Sequence, residues 1–132
     1  AGIDYNRAVL LLAILEKRAG MLLGAYDTYV NVVGGMELDE PAADLAVLLA
    51  IASSYLDKPV PGTMAAVGEV GLSGEIRSIT HMEQRLSEVR RLGFTQCMVP
   101  AHRVKDLKAP AGLELLPVEN ISRALRLLAQ GK

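Results

Sequence analysis

Two apolar runs, Ala8–Leu15 and Leu45–Ala52, constrain the fold of this chain more than any other feature. Each run is apolar on every side of a helix, so a helix formed there must be largely buried. Neither run approaches the roughly twenty residues that a membrane span needs. Hydrophobic residues make up 51% of the chain, but aromatic residues only 4%. The composition therefore predicts a core of Ala, Val, Leu and Ile packed between helices and a sheet.

Size, charge and cysteine content narrow the class of protein. The 132 residues predict one domain, which is large enough to bury roughly two-thirds of its chain surface. A net charge of -1 provides no overall basic field for nucleic acid or an anionic membrane. The single cysteine, Cys97, excludes an internal disulfide and is compatible with a reducing cytosol. We therefore expect a cytoplasmic protein without membrane contact. The chain starts without Met, almost directly in a predicted helix, which indicates a piece of a longer protein.

Helix and strand patterns alternate along the sequence. Capping residues, β-branched runs and glycines predict helices over 5–22, 39–55, 82–92 and 122–128, and strands over 26–33, 63–70, 75–79, 96–99 and 113–118. The strands over 63–70 and 75–79 are predicted to pair as a hairpin through the glycines between them. Strands that alternate with helices predict a single α/β sandwich domain over residues 1–132.

Glycine spacing and acidic residues each suggest a site that has a plainer interpretation. Gly68, Gly71 and Gly74 are spaced like a phosphate loop, but a phosphate loop leads into a helix and this segment continues as a strand. A hairpin turn is therefore favoured. A group of carboxylates has the oxygen ligands that a hard metal ion prefers. Helix caps and surface positions explain these carboxylates better, so no metal site is predicted. These residues are Asp39, Glu40, Asp44, Glu69 and Glu83.

The nucleophilic side chains also lack the setting that catalysis needs. Cys97 lies between Gln96 and Met98 in a predicted strand, and we interpret it as a small buried apolar residue. Three hydroxyls have no evident base beside them in the sequence, so none is predicted to act as a nucleophile. These are Ser53, Ser54 and Ser73.

Two segments, Asp39–Asp44 and Gly68–Arg77, resemble the signature regions of the Lon-type serine peptidase domain. The resemblance implies that the catalytic serine and lysine of that family correspond to Ala42 and Glu83. An alanine has no hydroxyl to attack a carbonyl, and a glutamate cannot replace an amine as the neighbouring base. We therefore expect no enzyme activity from this chain. The implied fold is a Lon-like domain of the ribosomal-protein-S5-domain-2 type, with a mixed sheet packed by helices.

Longer motifs are similar to the C-terminal Lon-like domain of the RadA (Sms) family of bacterial DNA-repair proteins. They cover essentially the whole chain and include Gly2–Arg7, Leu15–Gly20, Tyr29–Gly35, Glu40–Ala46, Asp57–Pro61 and Gly68–Arg77. The resemblance implies a non-proteolytic scaffold in a hexameric ring that contacts DNA during branch migration in homologous recombination. It also implies a zinc finger and a RecA-like ATPase ahead of this domain. ATP, Mg²⁺ and zinc are accordingly expected there, and no cofactor in this chain.

Two other functions stay open at this point. One is a degenerate Lon-like domain of another ATPase family, such as the ComM-like helicases. The other is a residual Lon-type serine peptidase that uses groups outside the usual dyad.

DNA contact, if present, is expected at phosphates, because no aromatic residue is placed to stack on bases. Such contact is independent of base sequence, weak for a single copy and steeply dependent on salt. In the predicted helix 82–92, Leu86 and Val89 are predicted to face inward and the arginines outward. That basic face and an acidic patch around Glu37, Asp39, Glu40 and Asp44 are candidate opposites for a ring interface. The candidate DNA-binding residues are Arg85, Arg90, Arg91, Lys105 and Lys108.

Overall fold

Helices and strands alternate along residues 41–130, the part of the chain that the computed structural model describes. The elements are a 3-10 turn Pro41–Ala43, α1 Asp44–Leu56, β1 Met64–Ala66, β2 Glu69–Val70, β3 Ile76–Arg77, α2 Met82–Arg91, β4 Gln96–Pro100, a second 3-10 turn Val104–Asp106, β5 Glu114–Val118 and α3 Ile121–Gln130. The alternation predicted from the sequence is confirmed for these elements. The predicted helix over 5–22, the strand over 26–33 and the acidic residues at 37, 39 and 40 lie outside the described residues.

The main sheet has the strand order β1-β4-β5, and both of its strand pairs are parallel. The central strand β4 aligns Cys97 with Ala65 on one side and with Leu115 on the other. Cys97, Met98 and Val99 are fully buried, as expected for a parallel strand that is covered on both faces. A second, two-stranded sheet pairs β2 with β3 in the antiparallel sense. The predicted α/β class is therefore confirmed.

Helices cover both faces of the main sheet. Met98 belongs to a buried cluster with residues of α1 and α3, whereas Cys97 and Val99 belong to a second cluster with Leu86 of α2. Successive residues of a strand point to opposite faces, so α1 and α3 pack on one face and α2 on the other. Leu86 faces inward as predicted, being fully buried, and Val89 packs half-buried against the second cluster.

The prediction of one continuous strand over 63–70 is wrong. The segment divides at Val67 and Gly68, so that β1 joins the parallel sheet and β2 forms the hairpin with β3. Gly68 explains the division, because a Cβ there would lie 2.9 Å from Ile76 Cγ2 and 3.4 Å from Pro100 Cγ. The backbone at Gly68 approaches its neighbours more closely than a side chain would allow. The Gly68 amide donates to the carbonyl of Ala42 at 3.0 Å.

Asp44 is a buried structural carboxylate, which corrects its interpretation as a cap or surface residue of an acidic patch. Its side chain is 2% exposed, and Oδ2 accepts a hydrogen bond from the backbone amide of Val70 at 3.0 Å. This hydrogen bond joins the start of α1 to the hairpin across 26 positions of sequence. A helix-start pattern could not reveal it, because the partner is a backbone amide far along the chain.

Replacing Asp44 by Ala removes the acceptor of a buried amide and is expected to reduce the free energy of unfolding by about 1–3 kcal/mol. Asn, which keeps a side-chain oxygen, is expected to cost less than Ala. Urea unfolding monitored by circular dichroism measures the difference. Glu119→Ala, at an exposed carboxylate, is the matched control. A decrease for Asp44→Ala no larger than that of the control would contradict the structural role.

Candidate functional site

Ala42 and Glu83, which the sequence resemblance assigns to the peptidase dyad, both border one buried apolar cluster. Ala42 belongs to that cluster and is 9% exposed, and its carbonyl accepts the Gly68 amide. Glu83 is the second residue of α2 and follows Met82, which belongs to the same cluster. Ala42 presents a methyl group and Glu83 a carboxylate, so these two side chains supply neither a nucleophile nor an amine base.

Glu83 has a specific partner in the structure. Its Oε2 accepts a hydrogen bond from the backbone amide of Lys108 at 2.9 Å, across 25 positions of sequence. The hydrogen bond links the first turn of α2 to the middle of the segment that joins β4 to β5. We refer to this hydrogen bond as the Glu83 tie. A carboxylate in the first turn of a helix is also favoured by the helix dipole.

The hydroxyls named from the sequence do not form a catalytic pair in residues 41–130. Ser53 Oγ donates to the backbone carbonyl of Lys58 at 2.6 Å, where it closes the end of α1. Ser73 lies at the hairpin turn, where its backbone amide donates to Glu75 Oε1 at 3.1 Å. Ser54 is exposed on the last turns of α1. These positions serve local structure.

The hairpin turn over 71–74 is held by Glu75. Gly74 adopts a positive φ of 85°, which suits a turn and favours glycine. The pKa of the Glu75 carboxyl is lowered, because its own backbone amide and then the Arg77 guanidinium donate hydrogen bonds to the charged form. Arg77 approaches Glu75 Oε2 at 2.7 Å. The glycine spacing is therefore a hairpin, as predicted, with no helix directly after it.

The structure separates the five candidate DNA-binding residues by what their side chains contact. Arg90 is half-buried and donates to the carbonyls of Ala111 and Phe94, both at 3.2 Å. Its guanidinium therefore joins α2 to the β4–β5 connection. Arg85 donates to the carbonyl of Thr80 at 3.0 Å.

The remaining three candidates are exposed. Arg91 pairs with Glu88 one helical turn away. Lys105 and Lys108 both lie on the β4–β5 connection, and within residues 41–130 no side-chain partner is found for either ammonium group. The neighbouring Arg103 pairs with Asp106 at 2.9 Å. Among the described residues, Lys105 and Lys108 are therefore the two candidates whose side chains have no partner.

A cavity of about 260 Å³ lies between the start of α2 and the β4–β5 connection. Ile79 and Met82 line one wall, Leu107 and Asp106 the other, and His102 is also part of the lining. A second cavity of about 330 Å³ has an almost wholly apolar lining that includes Leu49, Met64 and Phe94. Ser78 also lines the first cavity, but within residues 41–130 no hydrogen bond joins its hydroxyl to the His102 imidazole, so the two do not form the activated pair that a hydrolytic site needs.

No group of three or more potential metal ligands occurs in the described range 41–130. Two of the carboxylates named from the sequence have separate structural roles. Asp44 and Glu83 each accept a hydrogen bond from a backbone amide of a different, distant segment. Within the same range, no helix combines the length and the apolar character that crossing a membrane requires.

Comparison with known sequences places this arrangement in a family. The family model of the Lon protease (S16) C-terminal proteolytic domain matches residues 20–130. The chain belongs to this family. It is also 47% identical to the DNA repair protein RadA of Bacillus subtilis over 125 residues, which is 95% of this chain and 27% of that relative. The RadA proteins of Streptococcus pneumoniae and Listeria monocytogenes are 48% and 46% identical, again over 95% of this chain.

The Lon-type fold and the similarity to RadA that the motifs indicated are thereby confirmed. The chain spans less than a third of the length of these relatives. Sequence reasoning missed the hydrogen bonds that organise the site, which are those of Asp44, Arg90 and Glu83. For all three the partners are backbone groups, which a sequence pattern does not identify.

Cys97 is expected to be unreactive in the folded protein, because burial raises the pKa of its thiol to about 12 from an ordinary value of 9.0. At pH 8 the thiolate fraction falls by about a thousandfold relative to an ordinary thiol, so labelling by a thiol reagent should slow by at least about that factor. Stability contributed by the neutral thiol is complete below pH 9 and is lost as the pH rises towards 12. Labelling rates in native buffer and in denaturant test this. Equal rates would contradict it.

Restoring the dyad by Ala42→Ser and Glu83→Lys together is expected to yield no peptidase activity. Position 42 is nearly enclosed, and a lysine at 83 cannot accept the Lys108 amide, so the double variant breaks the Glu83 tie without creating an arranged site. Hydrolysis of a fluorogenic peptide and labelling by a serine-reactive probe are the measurements. Robust hydrolysis by the double variant would show that only the dyad residues separate this domain from a peptidase.

Proposed function

We propose that this chain is a non-proteolytic scaffold and DNA-contact domain of a RadA-type DNA-dependent ATPase that processes recombination intermediates by branch migration in DNA repair. The observation that carries the proposal is the similarity over 95% of the chain to proteins named DNA repair protein RadA. ATP hydrolysis, with Mg²⁺, and zinc binding belong in this proposal to other domains of the whole protein. The protein acts in the cytoplasm, where it meets chromosomal DNA.

A non-proteolytic role is supported by the chemistry of the dyad positions. Acyl transfer needs a nucleophile activated by a base, and positions 42 and 83 hold a methyl group and an acceptor carboxylate. The Glu83 carboxylate is also engaged by the Lys108 amide. The similarity to RadA favours this function over a ComM-like helicase, and the dyad positions favour it over a residual peptidase.

DNA contact in this proposal centres on Lys105 and Lys108. Both are exposed on one short segment, and the one acidic residue among 101–108, Asp106, is paired with Arg103. The segment is thus locally basic in a chain whose net charge is -1. Ammonium groups on such a surface suit phosphate oxygens, which gives binding that is independent of base sequence and falls steeply with salt.

Assembly into a ring supplies the affinity that a single copy lacks. Two lysines per copy bind DNA weakly, but a hexameric ring presents the same pair several times to one duplex. Three large apolar side chains are exposed within residues 41–130, and the most exposed are Leu72 at the hairpin turn and Leu92 after α2, at 66% and 67%. In this proposal these two side chains lie at the subunit interface.

Replacing Lys105 and Lys108 together by Ala is expected to weaken duplex binding. It should also lower the salt slope of log K by about 0.9 for each phosphate that the variant no longer neutralises. Fluorescence anisotropy with a labelled duplex across a salt series measures both quantities. Lys58→Ala, which removes an exposed lysine from the loop after α1, is the matched control. An unchanged slope in the double variant would contradict the assignment of these two lysines.

Assembly is tested separately by sedimentation velocity of the 132-residue chain. The proposal predicts oligomers that dissociate when Leu72 or Leu92 is replaced by Glu. A strict monomer that also shows no duplex affinity at low salt would contradict both roles for this domain.

A further inference from the structure

The segment that carries Lys105 and Lys108 is ordered by its own backbone over most of its length. The Ala101 amide donates to the Val118 carbonyl at 2.9 Å, and the Val104 and Leu107 amides donate within the segment at 3.2 and 3.1 Å. The bonds within the segment surround the 3-10 turn Val104–Asp106, and the Ala101 bond joins the segment to β5. Near the middle of the β4–β5 connection, the Lys108 amide donates to a side chain, which is Glu83.

Glu83 lies beside residues of α2 that are anchored in the core. Met82, beside it, is 8% exposed, and Leu86, one turn further along α2, is fully buried in the apolar cluster. A charged acceptor makes a stronger hydrogen bond than a neutral one. The Glu83 tie therefore connects the lysine-bearing segment to a part of the core that does not move easily.

The apolar packing between these two elements is incomplete. The cavity of about 260 Å³ lies between Met82 on the α2 side and Leu107 on the segment side. Val104 and Leu107 of the segment pack half-buried against the cluster that contains Met82, beside this cavity. The Glu83 tie adds a directed polar contact between the same two elements.

We propose that Glu83 is a positioning residue for DNA contact, and that its carboxylate fixes the segment that presents Lys105 and Lys108 to phosphates. The inference rests on the proposed function and adds a role for a residue at a degenerate dyad position. Holding the two lysines in place before binding reduces the ordering cost that each would otherwise incur on contact with DNA. A lysine at position 83 has donors only and cannot make this tie.

The direction in which DNA affinity changes when Glu83 is replaced distinguishes a positioning role from a purely electrostatic one. Glu83 is negative and lies beside the lysine-bearing segment, so electrostatics alone predicts that its removal tightens DNA binding. Positioning predicts the opposite for a variant that lacks the acceptor. Glu83→Gln keeps an acceptor oxygen and removes the charge, whereas Glu83→Ala removes both. The comparison between these two variants isolates the tie, because both lack the charge.

The test is duplex binding by fluorescence anisotropy at one fixed salt concentration, using the 132-residue chain and its Glu83→Gln, Glu83→Ala and Glu83→Lys variants. We expect Gln to bind at least as tightly as wild type, and Ala to bind about fivefold more weakly than Gln. Lys is expected to bind more weakly than Gln despite its added positive charge. Amide exchange at Lys108, measured without DNA, should be faster in the Ala and Lys variants than in Gln.

Each outcome has a separate meaning. If wild type binds duplex and the Ala variant binds as tightly as Gln or more tightly, the positioning role is overturned and the proposed function stands. Equal exchange at Lys108 in the Ala and Gln variants also overturns it. If wild type binds no duplex at low salt, the proposed function itself fails and the inference falls with it. Thermal unfolding of all variants verifies that they are folded when compared.

Discussion

The hydrogen-bonded junction between the start of α1 and the hairpin joins the segment of Ala42 to the strand pair that leads to Glu83. The Gly68 amide donates to Ala42, the Leu45 amide donates to the Gly68 carbonyl at 3.1 Å, and the Asp44 carboxylate accepts the Val70 amide. The first amides of a helix have no partner within the helix, so the Gly68 carbonyl satisfies a group that would otherwise be buried without one. Since β3 leads directly towards α2, this junction also sets the position at which α2 begins.

Ala42 and Glu83, which the sequence resemblance assigns to the peptidase dyad, both make structural contacts in this domain. Ala42 contributes a methyl group to the buried cluster and a carbonyl to the junction. Glu83 directs a carboxylate to a backbone amide 25 residues away. In the function we propose, both positions now serve the stability and shape of a surface, and the surface has a ligand different from that of a peptidase. The exposed lysines of the β4–β5 connection supply the chemistry for that ligand.

The sequence predicted most of the elements, because their signals are local. The apolar run of α1, the amphipathic pattern of α2 and the apolar run of β4 each lead to the element that is present. The division of the segment over 63–70 could not be predicted, since β-branched and small residues continue through it. The Gly68 amide bonds to Ala42, a partner that only the folded chain brings close. The site was predicted as a set of basic residues. Which of them are engaged inside the domain depends on backbone carbonyls brought close by the fold, as for Arg90.

Amide hydrogen exchange of the chain with and without duplex DNA, resolved to single residues, tests most sharply whether the segment that carries Lys105 and Lys108 contacts DNA. We expect DNA to slow amide exchange in the segment 101–108 and at the start of α2. Exchange at the end of α1, over 53–58, should stay the same. The mechanism is that phosphates held by Lys105 and Lys108 restrict the opening of the backbone that carries them. If saturating duplex slowed exchange only in other elements and left 101–108 unaffected, DNA contact by Lys105 and Lys108 would be contradicted.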